Sequence, residues 1–221
     1  MLVVRSVAVG PFVENTYLAA CGETGESIVI DPGGETPRML GLREPGGYRV
    51  SRIVCTHGHI DHVAGAAEAK DALRAPLQIH AGDREWVEAL PHQVEMFGFD
   101  DARVPAIDRF HADGETFAVG NLEARLIHTP GHTAGGTCVF FPTAKTVFVG
   151  DTLFVGSVGR TDLPGGDFAT LERSIKERIF SLGDEVRFYP GHGGSGLIGE
   201  ERKTNPFVGE AAASPGRRRF Y

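Results

Sequence analysis

Within Thr56-His57-Gly58-His59-Ile60-Asp61-His62, three imidazoles and a carboxylate fall in six residues. Such a density of metal-ligand side chains is not explained by solvation of a loop. In an extended loop, His57 and His59 stand two apart and can point to the same side. Asp61 and His62 open a helix predicted over 61–74 and approach from a different direction. That arrangement suits two neighbouring metals better than one. The remaining ligands must come from distant sequence: His132 in Thr129-Pro130-Gly131-His132-Thr133, Asp151 in Phe148-Val149-Gly150-Asp151-Thr152, and His192 in Tyr189-Pro190-Gly191-His192-Gly193. Each alone reads as an ordinary turn residue; with the first motif they complete a set of five His and two Asp. His80, His92, His111 and His128 lack comparable settings and read as structural or surface residues.

A scaffold that gathers these positions is legible in the hydrophobic pattern. Short runs rich in β-branched and aromatic residues, bounded by Gly, Pro or Asp, predict strands at 2–9, 16–21, 27–30, 52–55, 77–80, 116–119, 122–127, 138–141, 146–149 and 185–189. Helical spacing marks 61–74, 82–90 and 167–182; in the last, Phe168, Leu171, Ile175, Ile179 and Leu182 form one apolar face. Strands interleaved with helices imply sheets sandwiched between helical layers, an α/β architecture. Asp31, His57, His132, Asp151 and His192 all follow closely on the C-terminal ends of predicted strands, where loops on a rigid sheet edge tend to carry sites.

Composition narrows the function classes. The chain has 221 residues, 41% hydrophobic and 23% charged, with 30 Gly and 13 Pro, which excludes a disordered chain and a coiled coil. Without repeats or a linker-like stretch, residues 1–221 read as one domain, with a flexible tail from about 210 to 221 that holds Arg217-Arg218-Arg219. No apolar run approaches the ~20 residues of a membrane span. A net charge of -7 argues against nucleic-acid partners. Cys21, Cys55 and Cys138 are odd in number and lack CxxC spacing, and no export signal is visible, so a reducing cytoplasm is expected.

HxHxDH followed by a distant His, a Gly-Asp and a Gly-His resembles the metallo-β-lactamase superfamily over essentially the whole chain. The resemblance implies a four-layer αββα sandwich, two mixed sheets flanked by helices, with a two-metal site at one edge. It implies that His57, His59 and His132 hold one divalent ion and that Asp61, His62 and His192 hold the second, with Asp151 bridging. Zinc is the first expectation, with iron or manganese as alternatives. Asp31 looks like the family's acid behind the ligands, or a turn-forming Asp before Pro32-Gly33.

The stretch Gly150-Asp151-Thr152-Leu153-Phe154 through Gly159-Arg160-Thr161-Asp162, with Asn205-Pro206-Phe207, is similar to the glyoxalase II branch in its short bacterial form. That likeness implies hydrolysis of a small thioester by a metal-bridging hydroxide, with Asp61 and Asp151 in the catalytic group. Only 29 residues follow His192, so the helical domain that helps longer glyoxalase II enzymes hold glutathione cannot fit. The family's loop Lys is replaced by Arg160 and its nearby aromatic by Asp162. Arg160 reads either as a clamp for a substrate carboxylate or as a partner for Asp162 or Asp167; Arg202 and Lys203 could add positive charge near an anionic substrate. The persulfide dioxygenases of the same superfamily give the rival reading, one iron on His57, His132 and Asp151. A scaffold that only keeps metal is the non-enzymatic alternative. Monomer and homodimer are both compatible with the sequence.

Overall fold

The computed structural model describes residues 1–99, 102–210 and 212. Two six-stranded mixed sheets carry the fold. In the first, β1 (Leu2–Val9), β2 (Glu14–Cys21), β3 (Glu26–Ile30), β4 (Arg49–Val54), β5 (Leu77–His80) and β6 (Arg109–His111) lie side by side in chain order. β1 to β3 are antiparallel; β3 to β6 run parallel. Parallel neighbours need crossovers. These are supplied by α1 (Thr36–Gly41), by α2 (Ile60–Val63) with α3 (Ala66–Leu73), and by α4 (Arg84–Glu88) with α5 (Leu90–Phe97).

The second sheet starts with β7 (Thr116–Val119), β8 (Leu122–His128), β9 (Thr137–Phe141) and β10 (Thr146–Gly150). A small hairpin of β11 (Leu153–Phe154) and β12 (Ser157–Val158) precedes α6 (Phe168–Ser174), which crosses over to β13 (Arg187–Pro190), parallel to β10. β14 (Gly196–Leu197) and α7 (Ile198–Thr204) follow, giving the spatial order β14-β13-β10-β9-β8-β7.

Period-two alternation divides the apolar side chains among three cores. On β2, Leu18 and Ala20 face α2, α3 and α4, while Tyr17 and Ala19 face the opposite sheet. On β9 and β10, Val139, Phe141 and Phe148 fill the space between the sheets, whereas Cys138, Phe140, Val147 and Val149 meet Leu171, Ile175 and Ile179 beneath α6. Both faces of each sheet are therefore buried, which is the four-layer αββα sandwich.

Several predicted elements change at their edges. The helix expected over 61–74 breaks at Gly65 into α2 and α3, where a Cβ would lie 2.9 Å from the Gly34 backbone. The segment predicted as one helix over 167–182 begins with the Asp167 side chain capping Thr170 N at 2.7 Å, then widens to a π-turn at Ile175–Ile179 and tightens over Phe180–Leu182. α5 was not expected from the sequence, although Pro91 at its start is a favoured first-turn residue. α1, α7 and the three-residue β6 were also missed. The expected tail, with Arg217, Arg218 and Arg219, lies outside the described residues apart from Glu210 and Ala212.

Candidate metal centre

Every ligand-capable motif emerges where a strand ends. β3 delivers Asp31, β4 delivers Thr56 and His57, β8 leads to His132, β10 to Asp151 and β13 to His192. His59 sits extended at the N-cap of α2, so Asp61 and His62 follow on the first helical turn and reach the centre from that side. Gly150 and Gly191 make this convergence possible. Gly150 has φ +49 and a Cβ there would stand 2.3 Å from Thr56 Oγ1; at Gly191 it would meet Asp151 Oδ1 and His62 Cε1, both at 2.4 Å.

The hydrogen-bond network fixes which nitrogen each ring offers. Asp31, itself at φ +49, accepts from Thr56 N and Thr56 Oγ1 at 2.6 Å each, and from His62 Nδ1 at 3.0 Å. With its proton committed to Asp31, Thr56 Oγ1 accepts from His57 Nδ1 at 3.1 Å. His132 Nδ1 donates to Arg160 O at 2.7 Å and His192 Nδ1 to Phe12 O at 3.1 Å. Four rings thus donate through Nδ1 and turn Nε2 inward, the arrangement that orients metal-binding histidines.

The inward atoms are close together. His57 Nε2 and His132 Nε2 are 3.2 Å apart, His62 Nε2 and Asp151 Oδ1 3.4 Å, and His192 Nε2 and Asp61 Oδ2 3.0 Å. Asp151 Oδ2 lies 3.7 Å from the Nε2 atoms of both His132 and His192. Atoms bound about 2.0–2.2 Å from one tetrahedral ion stand roughly 3.3–3.6 Å from each other, so these spacings fit shared cations. Two triplets, His57/His59/His132 and Asp61/His62/His192, each bring three ligand atoms within 4.8 Å of one another; His57/His62/Asp151 forms a third. His59 Nε2, His62 Nε2 and Asp151 Oδ1 are buried with no hydrogen-bond partner. Orphaned polar atoms are costly in a protein interior, and cations held by the triplets these residues belong to would satisfy them.

Electrostatics agree with that fit. Burial, aided by His62 and His132, holds the His57 imidazole well below its ordinary pKa, and burial with His132 lowers His59 to about 3. Burial opposes ionisation of Asp151, yet the His62, His132 and His192 imidazoles hold its carboxyl below the usual range. Burial also opposes a charge on His62, but Asp151, Asp61 and Asp31 raise it well above the ordinary value. Neutral imidazoles beside ionised carboxylates are ready ligands, and a cation takes the place of the proton that the carboxylates draw onto His62.

A cavity of about 390 Å³ opens onto this centre, lined by His59, Asp61, His132, Asp151 and His192 and walled by Phe12, Ile60, Phe97, Phe154, Leu163 and Arg160. Among the described residues, Arg160 is the one Lys or Arg in that lining, and its guanidinium is paired with Asp162 at 2.8 Å through both Nε and Nη2. Arg202 pairs instead with Asp184 at 2.5 Å and lines a separate depression with Lys176 and Phe180. Lys203 is exposed on α7. Neither Arg202 nor Lys203 lines the cavity, so the charge expected from them near a substrate is not supplied there.

Sequence reasoning missed two buried acids. Glu14 opens β2 beside His192, with Oε1 3.8 Å from His62 Nδ1 and without a hydrogen-bond partner; burial raises its carboxyl well above the usual range. Asp83 accepts from Gly58 N at 3.0 Å, Thr133 Oγ1 at 2.7 Å and Gly135 N at 2.6 Å, tying the first motif to the His132 loop. A lone acid among polar neighbours carries no spacing signal. Gln93, on the unexpected α5, likewise braces the motif by accepting from Ile60 N at 2.9 Å and donating to Gly58 O at 3.2 Å.

Known proteins share this framework. Hydroxyacylglutathione hydrolase GloC of Haemophilus influenzae is 34% identical over 207 residues, spanning 93% of this chain and 97% of the relative. The crystal structure of the BLEG-1 B3 metallo-beta-lactamase superposes with a TM-score of 0.86 at 28% identity, covering 93% of this chain and 99% of that one. TTHA1623, in a di-iron-bound form, gives a TM-score of 0.83 at 37% identity, covering 92% of this chain and 99% of that one. The family profile of the metallo-beta-lactamase superfamily matches residues 9–192, which takes in every strand end described above, and the chain belongs to that superfamily.

Proposed function

We propose that this protein hydrolyses small thioesters, S-acylglutathione or a related compound, with one divalent cation on His57, His59 and His132, a second on Asp61, His62 and His192, and Asp151 between them. Bound there, the cations supply Lewis acidity, making hydroxide available near neutral pH and stabilising charge that develops on an acyl oxygen. Zinc suits the His and carboxylate donors; the di-iron relative keeps iron in play. Asp61 and Asp151 face the cavity and are the carboxylates placed to orient the attacking water. Asp31 positions His62 and, through Thr56, His57.

The observation that carries the reading is the cavity's lining. Besides Arg160, its titratable groups are all ligand candidates, and no Lys, Tyr, Cys or Glu lines it among the described residues. An amide nitrogen must gain a proton to leave, whereas a thiol with a pKa of about 8.5 leaves as thiolate without a protein acid. The GloC relative supports the same substrate class. Both sheets contribute ligands, which supports one functional domain, and three free, buried cysteines suit a reducing compartment such as the cytoplasm.

The test measures thiol release from S-lactoylglutathione by the metal-loaded protein, beside oxygen uptake with glutathione persulfide and ring opening of a chromogenic cephalosporin. Thiol release that is abolished in His59→Ala is expected. Oxygen uptake that survives His59→Ala, or cephalosporin hydrolysis without thiol release, would overturn the assignment.

A further inference from the structure

Arg160 is the one Lys or Arg that lines the cavity among the described residues, and its backbone is closely held. Its carbonyl accepts from His132 Nδ1, and a Cβ on the preceding Gly159 would lie 1.9 Å from Asp151 O, so this segment is pressed onto two ligand-bearing loops. The guanidinium nevertheless spends the edge bearing Nε and Nη2 on Asp162, at 2.8 Å to each carboxylate oxygen. That paired geometry is the one a substrate carboxylate would need. Asp162 stays ionised at any working pH, since hydrogen bonds from Arg160 hold it at about 2. The rim therefore presents a net-neutral Arg160–Asp162 pair in place of a free guanidinium.

The other walls are apolar. Phe12 is 43% exposed, and its ring stands edge-on to Phe97 at 6.0 Å and to Phe99 at 5.5 Å. Phe154, also in the lining, stands edge-on to the His192 ring at 6.2 Å. Met96, Val13 and Val155, each next in sequence to a lining residue, are also exposed. Aromatic walls with a few convergent polar atoms are the usual make-up of a site for an apolar ligand group.

We infer that Asp162 and this aromatic wall set the specificity of the site, favouring a thioester with an uncharged, apolar arm over one that presents a carboxylate to Arg160. The inference rests on the thioesterase reading for the word thioester, but its test does not depend on turnover. Calorimetry on the metal-loaded protein would compare three thioethers that cannot be hydrolysed: S-benzylglutathione, its dicarboxamide, and S-methylglutathione. Asp162→Asn should tighten S-benzylglutathione about fivefold, the upper range for an exposed ion pair, and leave the dicarboxamide unchanged. The gain should vanish when Arg160→Gln is added. Phe97→Ala should weaken S-benzylglutathione about fivefold and S-methylglutathione less than twofold; Phe12→Ala, at a more exposed position, gives the same comparison should Phe97→Ala unfold. An unchanged acid-to-carboxamide ratio in Asp162→Asn, or no advantage of benzyl over methyl in the unaltered protein, would overturn the inference. Absence of thiol release with this binding pattern intact would remove the thioester reading alone.

Discussion

Asp31 accepts three hydrogen bonds at the end of β3 and through them orients two buried rings of the candidate centre, His62 directly and His57 by way of Thr56. Its left-handed backbone, uncommon for a residue with a Cβ, is retained where those bonds require it. Partners behind metal ligands usually matter by 10- to 100-fold in affinity. Asp31→Ala should therefore lower zinc affinity by about that factor in competition with a chromophoric chelator; an unaltered affinity would show that Asp31 only shapes the turn. His111 makes a prediction independent of the centre. It is buried against Thr137, and burial with nearby His80 lowers its pKa to about 3. The unfolded chain binds a proton there below about pH 6.5 while the native state stays neutral. This contribution is thus fully present above 6.5 and is lost as pH falls, at up to about 1.4 kcal/mol per pH unit until the native group titrates. Urea midpoints between pH 7.5 and 5 should fall less steeply in His111→Phe. Parallel slopes would contradict the assignment.

At the scale of elements, the centre is a consequence of strands that all end on one edge. The sequence made this visible because SIVI, RIVCT and TVFVG are strong strand signals that stop just before Asp31, His57 and Asp151. α5 was hidden: its Pro91 and His92 interrupt the apolar pattern, and its Gln93 acts on the site through polar bonds that no periodicity marks. Asp83 was hidden for the same reason, lying in a short turn before α4. Glycines beside the candidate ligands were legible as turn formers, but their closeness to distant segments of the same chain was not. Gly191→Ala drives a methyl group into Asp151 and His62. The variant should keep its far-ultraviolet circular dichroism while retaining less metal through gel filtration. Full metal retention would mean that the β13 loop relaxes without disturbing the ligands.

Across the molecule, the first sheet and its helices provide His57, His59, Asp61 and His62, and the second provides His132, Asp151 and His192. Strands interleaved with helices were enough to imply sheets between helical layers, whereas the meeting of the two sheets at one site-bearing edge was implied only by the family likeness. The alternation that divides the inward residues of β2, β9 and β10 among the cores emerged with the structure. Arg202 shows the limit of reasoning from position: close to the C-terminal Asn205-Pro206 in sequence, it is turned toward Asp184 by α7. Because the proposed ligands join both halves, cations should bind the native state far better than the unfolded chain. At a thousandfold excess of free metal over Kd, that linkage adds about 4 kcal/mol. Removing metal with a chelator should lower Tm, and zinc should restore it in proportion to the logarithm of its concentration. A Tm indifferent to chelation would place the metal, if any, outside the fold's stabilising contacts.

The number of metal ions bound per chain is the quantity on which the reading of the centre stands. Elemental analysis of protein reconstituted with zinc, desalted and quantified by amino-acid analysis should give close to two ions per chain, falling to one or fewer in both His59→Ala and His192→Ala. One ion in the unaltered protein, with no loss in His59→Ala, would contradict a shared two-cation centre.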